Sequence, residues 1–398
     1  METKKVNRRD FFRWSATAGA GALLFPDVAA ASTLNRSSGS KANEYPTRIL
    51  GRTGLEIPVL SMGVMRADNP NVVRAAYNAG LTFFDTAHGY QNGQNEVMLG
   101  NFFKDKPRDS FMIATKGKFA YPLSDRFEEE YTALLDLSLK RLQMDQVEIF
   151  YTHALGTADA ITDERVVRLL EKFKADGKVR YIGFSSHANK PEFVDAAIGV
   201  GLYDVALLSY NFKLDRLKET DEAIARGVEA GMGFIAMKTM TGGVEDAGGK
   251  KKINARACLK WAWKNKNITT IIPGFSNFSE LDECLAAVKN PEPTASEKEY
   301  LAMLCGQELL YCQQCGKCRD ACVEQLPIPD MMRAYMYAYG YKNAGLSKET
   351  LLELNLPEQM CRSCSGKGCR VKCTSGFDVA AKIAAITPVL QIPDVFLT

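Results

Sequence analysis

Between about residues 48 and 287, short apolar, β-rich runs alternate with amphipathic stretches of helical period, and this alternation limits the fold more than any other feature. The runs are Val59–Gly63, Thr82–Thr86, Phe111–Lys116, Val147–Thr152, Tyr181–Ser185, Val205–Ser209, Gly233–Met237 and Thr269–Pro273. Near-continuous apolar strands are buried on both faces, and strands that alternate with helices build parallel βαβ units. Eight such units in roughly 240 residues predict a (β/α)8 TIM barrel of the α/β class. A doubly wound sheet is the other arrangement, disfavoured because no GxGxxG turn follows the first run. Ahead of that run, Ile49–Ile57 carries Gly51 and Gly54 and predicts a hairpin. Helices are expected over Asp125–Gln143 and over Asp163–Asp176, which stops at Gly177.

Chemistry in such a barrel sits at the C-terminal ends of the strands. Asp85 ends the second run, Tyr90 follows it, Lys116 ends the third and His153 follows the fourth. Consecutive strands are neighbours, so these side chains converge. An ammonium between Asp85 and the Tyr90 phenol is expected to lower the phenol's pKa from about 10. Tyr90 then gives a proton to a carbonyl oxygen as hydride arrives at carbon, His153 orients that oxygen, and Asp85 holds Lys116.

Phe84-Asp85-Thr86-Ala87, Tyr90, Ala114-Thr115-Lys116, Tyr151-Thr152-His153 and Gly183-Phe184-Ser185-Ser186 together resemble the aldo/keto reductases, over about residues 46–290. The resemblance implies an Asp/Tyr/Lys/His tetrad on Asp85, Tyr90, Lys116 and His153, and a nicotinamide cofactor, NAD(P)(H), laid across the barrel mouth. It puts Ser185 and Ser186 where the carboxamide is held, with Ser186 in place of a common asparagine. Met237 or Lys238 stands where an aromatic residue stacks on nicotinamide in the family. After the last strand, Gly274 and Glu280 replace the lysine and arginine that bind the 2′-phosphate of NADPH, and Ser276 and Asn277 remain as phosphate contacts. Relaxed specificity or use of NADH follows from losing two charge-assisted contacts. His88 and His187 are read as structural residues.

The cysteines form a second constraint: eight of the eleven lie between Cys312 and Cys373. Cys312-x2-Cys315-x2-Cys318-x3-Cys322 has ferredoxin spacing, although Val323 stands where a proline is usual. Cys361-x2-Cys364-x4-Cys369-x3-Cys373 is a set with a widened middle gap, which contains Gly366 and Gly368. Three arrangements are open: two [4Fe–4S] clusters, each with three ligands from one set and one from the other; one cluster plus a zinc or disulfide site; or disulfides throughout. The first is favoured. Cys258, Cys284 and Cys305 read as buried or spare thiols. Met331–Leu354 reads as helical, and its Tyr335, Tyr337, Tyr339 and Tyr341 are expected to pack this module onto the barrel.

Asn7-Arg8-Arg9-Asp10-Phe11-Phe12-Arg13 resembles a twin-arginine export motif, followed by a weakly apolar stretch, Ala16–Phe25, and by Ala29-Ala30-Ala31. The stretch is far short of the ~20 residues of a membrane span. The chain thus divides into a signal peptide (1–31), a linker (32–45), the barrel (46–300) and a ferredoxin-like domain (301–398), with a periplasmic or extracytoplasmic destination. The net charge is +3, and residues 1–31 carry five basic and three acidic side chains. The remainder is therefore near neutral and offers no basic surface for nucleic acid. The implied partners are a small carbonyl or alcohol substrate and, through the clusters, a redox partner protein. The competing class is an electron-transfer or binding protein on a degenerate reductase barrel.

Overall fold

The computed structural model describes residues 45–241, 253–305, 311–319, 321–357, 360–361, 368–374, 376 and 378–397. The signal peptide, nearly all of the linker, and Cys364 and Gly366 lie outside the described residues.

An antiparallel hairpin of β1 (Thr47–Ile49) and β2 (Glu56–Pro58) comes first, with Arg48 opposite Ile57. Eight parallel strands follow in chain order: β3 (Met62–Gly63), β4 (Phe83–Asp85), β5 (Met112–Gly117), β6 (Val147–Thr152), β7 (Val179–Ser186), β8 (Val205–Ser209), β9 (Gly233–Met237) and β10 (Thr270–Ile271). Parallel bridges Leu60–Ile271 and Gly63–Gly274 join the last strand to the first and close the ring. Closure excludes the doubly wound sheet. Each observed strand falls on an expected run.

The outer ring is α1 (Pro70–Asn78), α2 (Gln94–Phe103), α3 (Phe127–Leu142), α4 (Asp159–Thr162), α5 (Glu164–Ala175), α6 (Lys190–Val200), α7 (Leu217–Glu229), α8 (Ala255–Trp263) and α9 (Phe278–Lys289). Asp163 caps α5 by accepting from the Arg165 amide at 2.9 Å, and Gly177 takes φ +74° just past its end. A non-glycine residue pays a steric cost there.

Strand alternation fixes which side chains enter the barrel. Phe83, Ala114, Ile149, Tyr151, Val205, Leu207 and Ile235 fill the interior, whereas Phe84, Ile113, Phe150 and Phe184 pack outward under the helices. Gly183 of β7 makes room for the interior tyrosine: a Cβ there would lie 2.5 Å from the Tyr151 ring and 2.7 Å from the Val205 carbonyl oxygen. Gly183→Ala is therefore expected to destabilise the barrel by about 1–3 kcal/mol, read as a lower midpoint in denaturant titration.

After the barrel come α10 (Ala295–Cys305), α11 (Ile328–Tyr335), α12 (Ala344–Leu352) and α13 (Val379–Ile386). The stretch expected to be helical from Met331 to Leu354 is two helices. One π-helical turn, Met336–Gly340, continues α11, and Lys342 at φ +54° lies in the break before α12. These helices share a separate apolar core of Leu326, Ile328, Met331, Leu351, Val379 and Ile383, against which Cys312, Cys318, Cys322, Cys361, Cys369 and Cys373 pack. Among the described residues no helix is long and apolar enough to cross a membrane.

Candidate active site

The alternation that buries Phe83, Ala114 and Tyr151 also puts Asp85, Lys116 and His153 on the inward side, each two residues further on in its own segment. Register aligns them: Asp85 lies opposite Ala114, and Lys116 opposite Tyr151. Asp85 and Lys116 are buried, and the lysine amine donates to Asp85 Oδ1 and to the Thr86 carbonyl. Asp85 Oδ2 has no hydrogen-bond partner. Burial pushes the Asp85 carboxyl up and the Lys116 amine down, and their contact opposes both shifts.

Tyr90 begins a short 3-10 turn, its amide bonded to the Ala87 carbonyl at 3.1 Å. Its ring stands edge-on to His153, with centroids 5.9 Å apart. The Lys116 amine lies over the Tyr90 ring, 5.2 Å from its centroid. The expected lowering of the phenol pKa does not occur. Burial, reinforced by Asp85, Tyr337 and Tyr341, raises it well above its usual value, and Arg333 opposes this. Lys116 spends its hydrogen bonds on Asp85 and the Thr86 carbonyl and meets the aromatic face. Tyr90 therefore holds its proton at neutral pH, the form that can donate to a carbonyl oxygen.

His153 is pushed far below its usual pKa by burial and by Lys118, Lys116, His187 and Arg333, so its ring is neutral. His187, expected to be structural, lines the same cavity and is likewise neutral, through burial and then Lys238 and Arg333. His88 also lines it, with Nδ1 3.0 Å from the Ser138 hydroxyl.

The cavity measures about 200 Å³, and the C-terminal helices form its roof. Arg333 of α11, Tyr337 and Tyr341 beyond it, and Glu349 and Glu353 near α12 face Asp85, Tyr90, Lys116 and His153. Lys118 pairs with Glu353 across the junction. Asn211 donates to Gln313 Oε1 at 3.0 Å, and Lys317 pairs with Asp215 at 2.9 Å. Tyr337 and Tyr341 thus do pack the module onto the barrel. Tyr335 and Tyr339 instead pack on each other, their ring centroids 4.5 Å apart and their planes tilted by 34°, beside Lys382.

The expected cofactor contacts divide. Met237, Lys238 and Gly274 line the cavity; Ser185 and Ser186 do not. Ser185 Oγ accepts from the Ala154 amide at 2.9 Å, and Ser186 Oγ donates to the Ala188 carbonyl. Both hydroxyls are committed to backbone. Asn277 caps α9, accepting from the Glu280 amide at 3.0 Å, and Ser276 donates its amide and hydroxyl to Glu280 Oε2 at 2.8 and 3.0 Å. Sequence reasoning missed Arg66, from the loop after β3, which donates to Ser276 Oγ at 3.3 Å and pairs with Glu280 at 3.5 Å. It supplies a cation from the opposite side of the ring closure, and Glu280 neutralises it. Lys238 donates to the Tyr341 hydroxyl at 3.2 Å, and burial, Arg333 and Arg66 lower its pKa to about 7.

The cysteines sort into two neighbourhoods. Burial pushes the Cys312 thiol up to about 12, and the adjacent Cys315, Cys318 and Cys373 add to this. Cys322, Cys361 and Cys369 line one small cavity with Val371 and Ile383. Among the described residues, no group of three or more His, Cys, Asp or Glu is placed to hold a single metal ion. Cys258 and Cys284 are buried and Cys305 is exposed, all outside both neighbourhoods.

The aldo/keto reductase family model matches residues 61–255, ending before the cysteine sets. L-Galactose dehydrogenase of Arabidopsis thaliana is 28% identical over 297 residues, 64% of this chain and 92% of that protein. The NADP(+) aldo-keto reductase yakc of Schizosaccharomyces pombe is 31% identical over 191 residues, 43% of this chain and 54% of that protein. The structure of an aldo-keto reductase from Bacillus halodurans, in its holo form, superposes with a TM-score of 0.53 at 22% identity, covering 65% of this chain and 96% of that one. That likeness speaks to the fold, and the sequence matches speak to the family. Through its barrel, this chain is similar in sequence to the aldo/keto reductases over residues 61–255, and it shares their fold.

Proposed function

We propose that the chain interconverts a small carbonyl compound and its alcohol, with Tyr90 as the acid and base. One observation carries this reading: the Tyr90 phenol and the His153 ring share one cavity with the Lys116–Asp85 pair, where burial favours the protonated phenol and the neutral ring. Tyr90 gives its proton to the carbonyl oxygen, His153 orients that oxygen, and Lys116 over the phenol ring steadies charge that develops there. Asp85 keeps Lys116 in place. When bound, the nicotinamide supplies or accepts hydride. Met237, Lys238 and Gly274 are the described residues that would hold it, because they line the mouth beside Tyr90.

The Arg66–Glu280 pair supports relaxed dinucleotide preference. NADPH is expected to bind less than roughly tenfold more tightly than NADH. Glu280→Gln, which frees Arg66, should raise the NADPH-to-NADH affinity ratio roughly three- to tenfold, measured by fluorescence titration. An unchanged ratio contradicts this role of Glu280.

The cysteine module is read as holding two [4Fe–4S] clusters, which supply one-electron transfer. One takes Cys312, Cys315, Cys318 and Cys373; the other takes Cys322, Cys361 and Cys369, with Cys364 as its fourth ligand. The mixed neighbourhoods support this division: one joins three thiols of the first set with Cys373, and the other joins Cys322 with Cys361 and Cys369. A cubane spreads its thiolates over four irons and does not need the convergence that a single ion demands. Anaerobic reconstitution should give roughly eight irons and eight sulfides per chain; iron content near zero contradicts the reading. The twin-arginine motif supports export of the folded, cofactor-loaded chain, with a redox partner outside the cytoplasm.

The committed hydroxyls of Ser185 and Ser186 favour the second reading, an electron-transfer protein on a degenerate barrel. Substitution of Tyr90 separates the two.

A further inference from the structure

We infer that Lys238 and Arg333 form an anion clamp in the roof of the active-site mouth, and that it holds a carboxylate or phosphate carried by the reacting carbonyl or alcohol compound. This deepens the proposed function by naming the substrate class, and it rests on that reading.

The clamp bridges the two parts of the molecule. Lys238 follows β9 of the barrel, and Arg333 comes from α11 of the C-terminal region. Both line the catalytic cavity, and both also line a smaller adjoining one with His187 and Cys312.

Five cations line the catalytic cavity: Arg66, Lys116, Lys118, Lys238 and Arg333. Four of them have a carboxylate partner among the described residues. Arg66 pairs with Glu280, Lys116 with Asp85, Lys118 with Glu353 and Arg333 with Asp330. Lys238 has none. Its amine meets the Tyr341 hydroxyl and lies 5.1 and 4.9 Å from the centroids of the Tyr337 and Tyr341 rings. Arg333 is 9% exposed and uses Nη2 on Asp330, while Nε and Nη1 bond to no described residue. A guanidinium presents a fork suited to carboxylate or phosphate, and one arm of this fork is unused.

Two cations that face one cavity repel each other. Burial is the first cause of the lowered pKa of Lys238, and the charges on Arg333 and then Arg66 add this repulsion to it. An anionic ligand removes the repulsion, and both charges then contribute to binding. Lys238 also sits at φ +57°, a left-handed backbone that glycine adopts freely and lysine does not. The Asn211 amide at 3.2 Å and the Thr241 amide at 3.1 Å hold its carbonyl in that conformation. Strain retained at a lysine that faces a cavity marks a functional position.

The anion belongs to the reacting compound rather than to the dinucleotide for a spatial reason. Tyr90 and His153 share this cavity with the clamp, whereas Ser276 and Glu280, the region that the family resemblance assigns to a 2′-phosphate, follow β10 and do not line it.

The test uses the full-chain, cluster-loaded protein and equilibrium calorimetry, with no turnover. The probes are D-glucuronate against D-glucose, pyruvate against hydroxyacetone, and NADPH against NADH. In the native protein at least one acid should bind roughly tenfold or more tightly than its neutral counterpart. Lys238→Met should abolish that difference, and Lys238→Arg should restore it. Removing a repelled buried cation should not unfold the chain, so the methionine variant is expected to be testable. Equal binding of acid and neutral partner in both pairs overturns the clamp. If Lys238→Met lowers the NADPH-to-NADH ratio and leaves the acids unaffected, the anion is the dinucleotide's and the substrate assignment is overturned. Neither failure touches the reductase reading, which is tested separately by loss of carbonyl reduction in Tyr90→Phe.

Discussion

Tyr90→Phe should lower carbonyl reduction by about 10²- to 10⁴-fold, the usual contribution of a positioned acid, and leave nicotinamide binding nearly unchanged. The phenylalanine ring keeps the edge-on packing against His153 and the face beneath Lys116, so only the proton donor is lost. The measurement is steady-state oxidation of NADPH or NADH over a panel of small aldehydes and ketones, alongside cofactor titration. An electron-transfer protein on a retired barrel gives a different pattern. Tyr90→Phe would then leave exchange of electrons with an artificial dye as fast as before, and the native protein would reduce no carbonyl compound. The phenol's raised pKa adds a direction. Because Tyr90 keeps its proton across neutral pH, reduction should not require acid, and alcohol oxidation should accelerate only as pH rises toward the range where the phenol ionises.

Lys116→Met carries the second large effect, this time on stability. The native pair is almost fully buried, and one oxygen of Asp85 already lacks a partner. Removing the amine leaves a carboxylate in the barrel interior with only water-poor surroundings. The expected loss is about 3–5 kcal/mol, or a melting temperature lower by something of the order of 10 °C. Adding Asp85→Leu to the same chain should recover most of the loss, since an apolar pair of similar volume often replaces a buried ion pair without penalty. The thermal melts of the two single variants and the double variant form a cycle. A Lys116→Met variant as stable as the native protein would show that water reaches Asp85.

The barrel was legible because its strands are buried on both faces and therefore read as apolar runs of the right length and spacing. Asp85, Lys116 and His153 were legible for a related reason. Each sits at a strand's C-terminal end, in phase with the interior side chains before it. Arg66 was not legible. It lies more than two hundred residues from Glu280 in sequence, and only ring closure, through Gly63 and Gly274, brings the two together. Arg333 was hidden in the same way, whereas Tyr337 and Tyr341, expected to pack the module onto the barrel, do so at its catalytic mouth. Ser185, Ser186, Ser276 and Asn277 show the opposite case. Position along the chain pointed to ligand contacts, and local groups engage the side chains instead: backbone at Ser185, Ser186 and Asn277, and the Glu280 carboxylate at Ser276. The direction of the Tyr90 shift was missed because sequence puts a lysine near a phenol but does not say which part of the ring it meets. Over the ring face, the ammonium stabilises the phenolate less than burial disfavours it.

Transfer of deuterium from the C4 position of reduced nicotinamide to the carbonyl carbon of a small aldehyde, followed by mass spectrometry in a single turnover, tests the central claim most directly. The account predicts one deuterium in the alcohol formed by the native protein and little or no labelled alcohol from Tyr90→Phe. Alcohol formed without label, or label transfer undiminished in the phenylalanine variant, would contradict it.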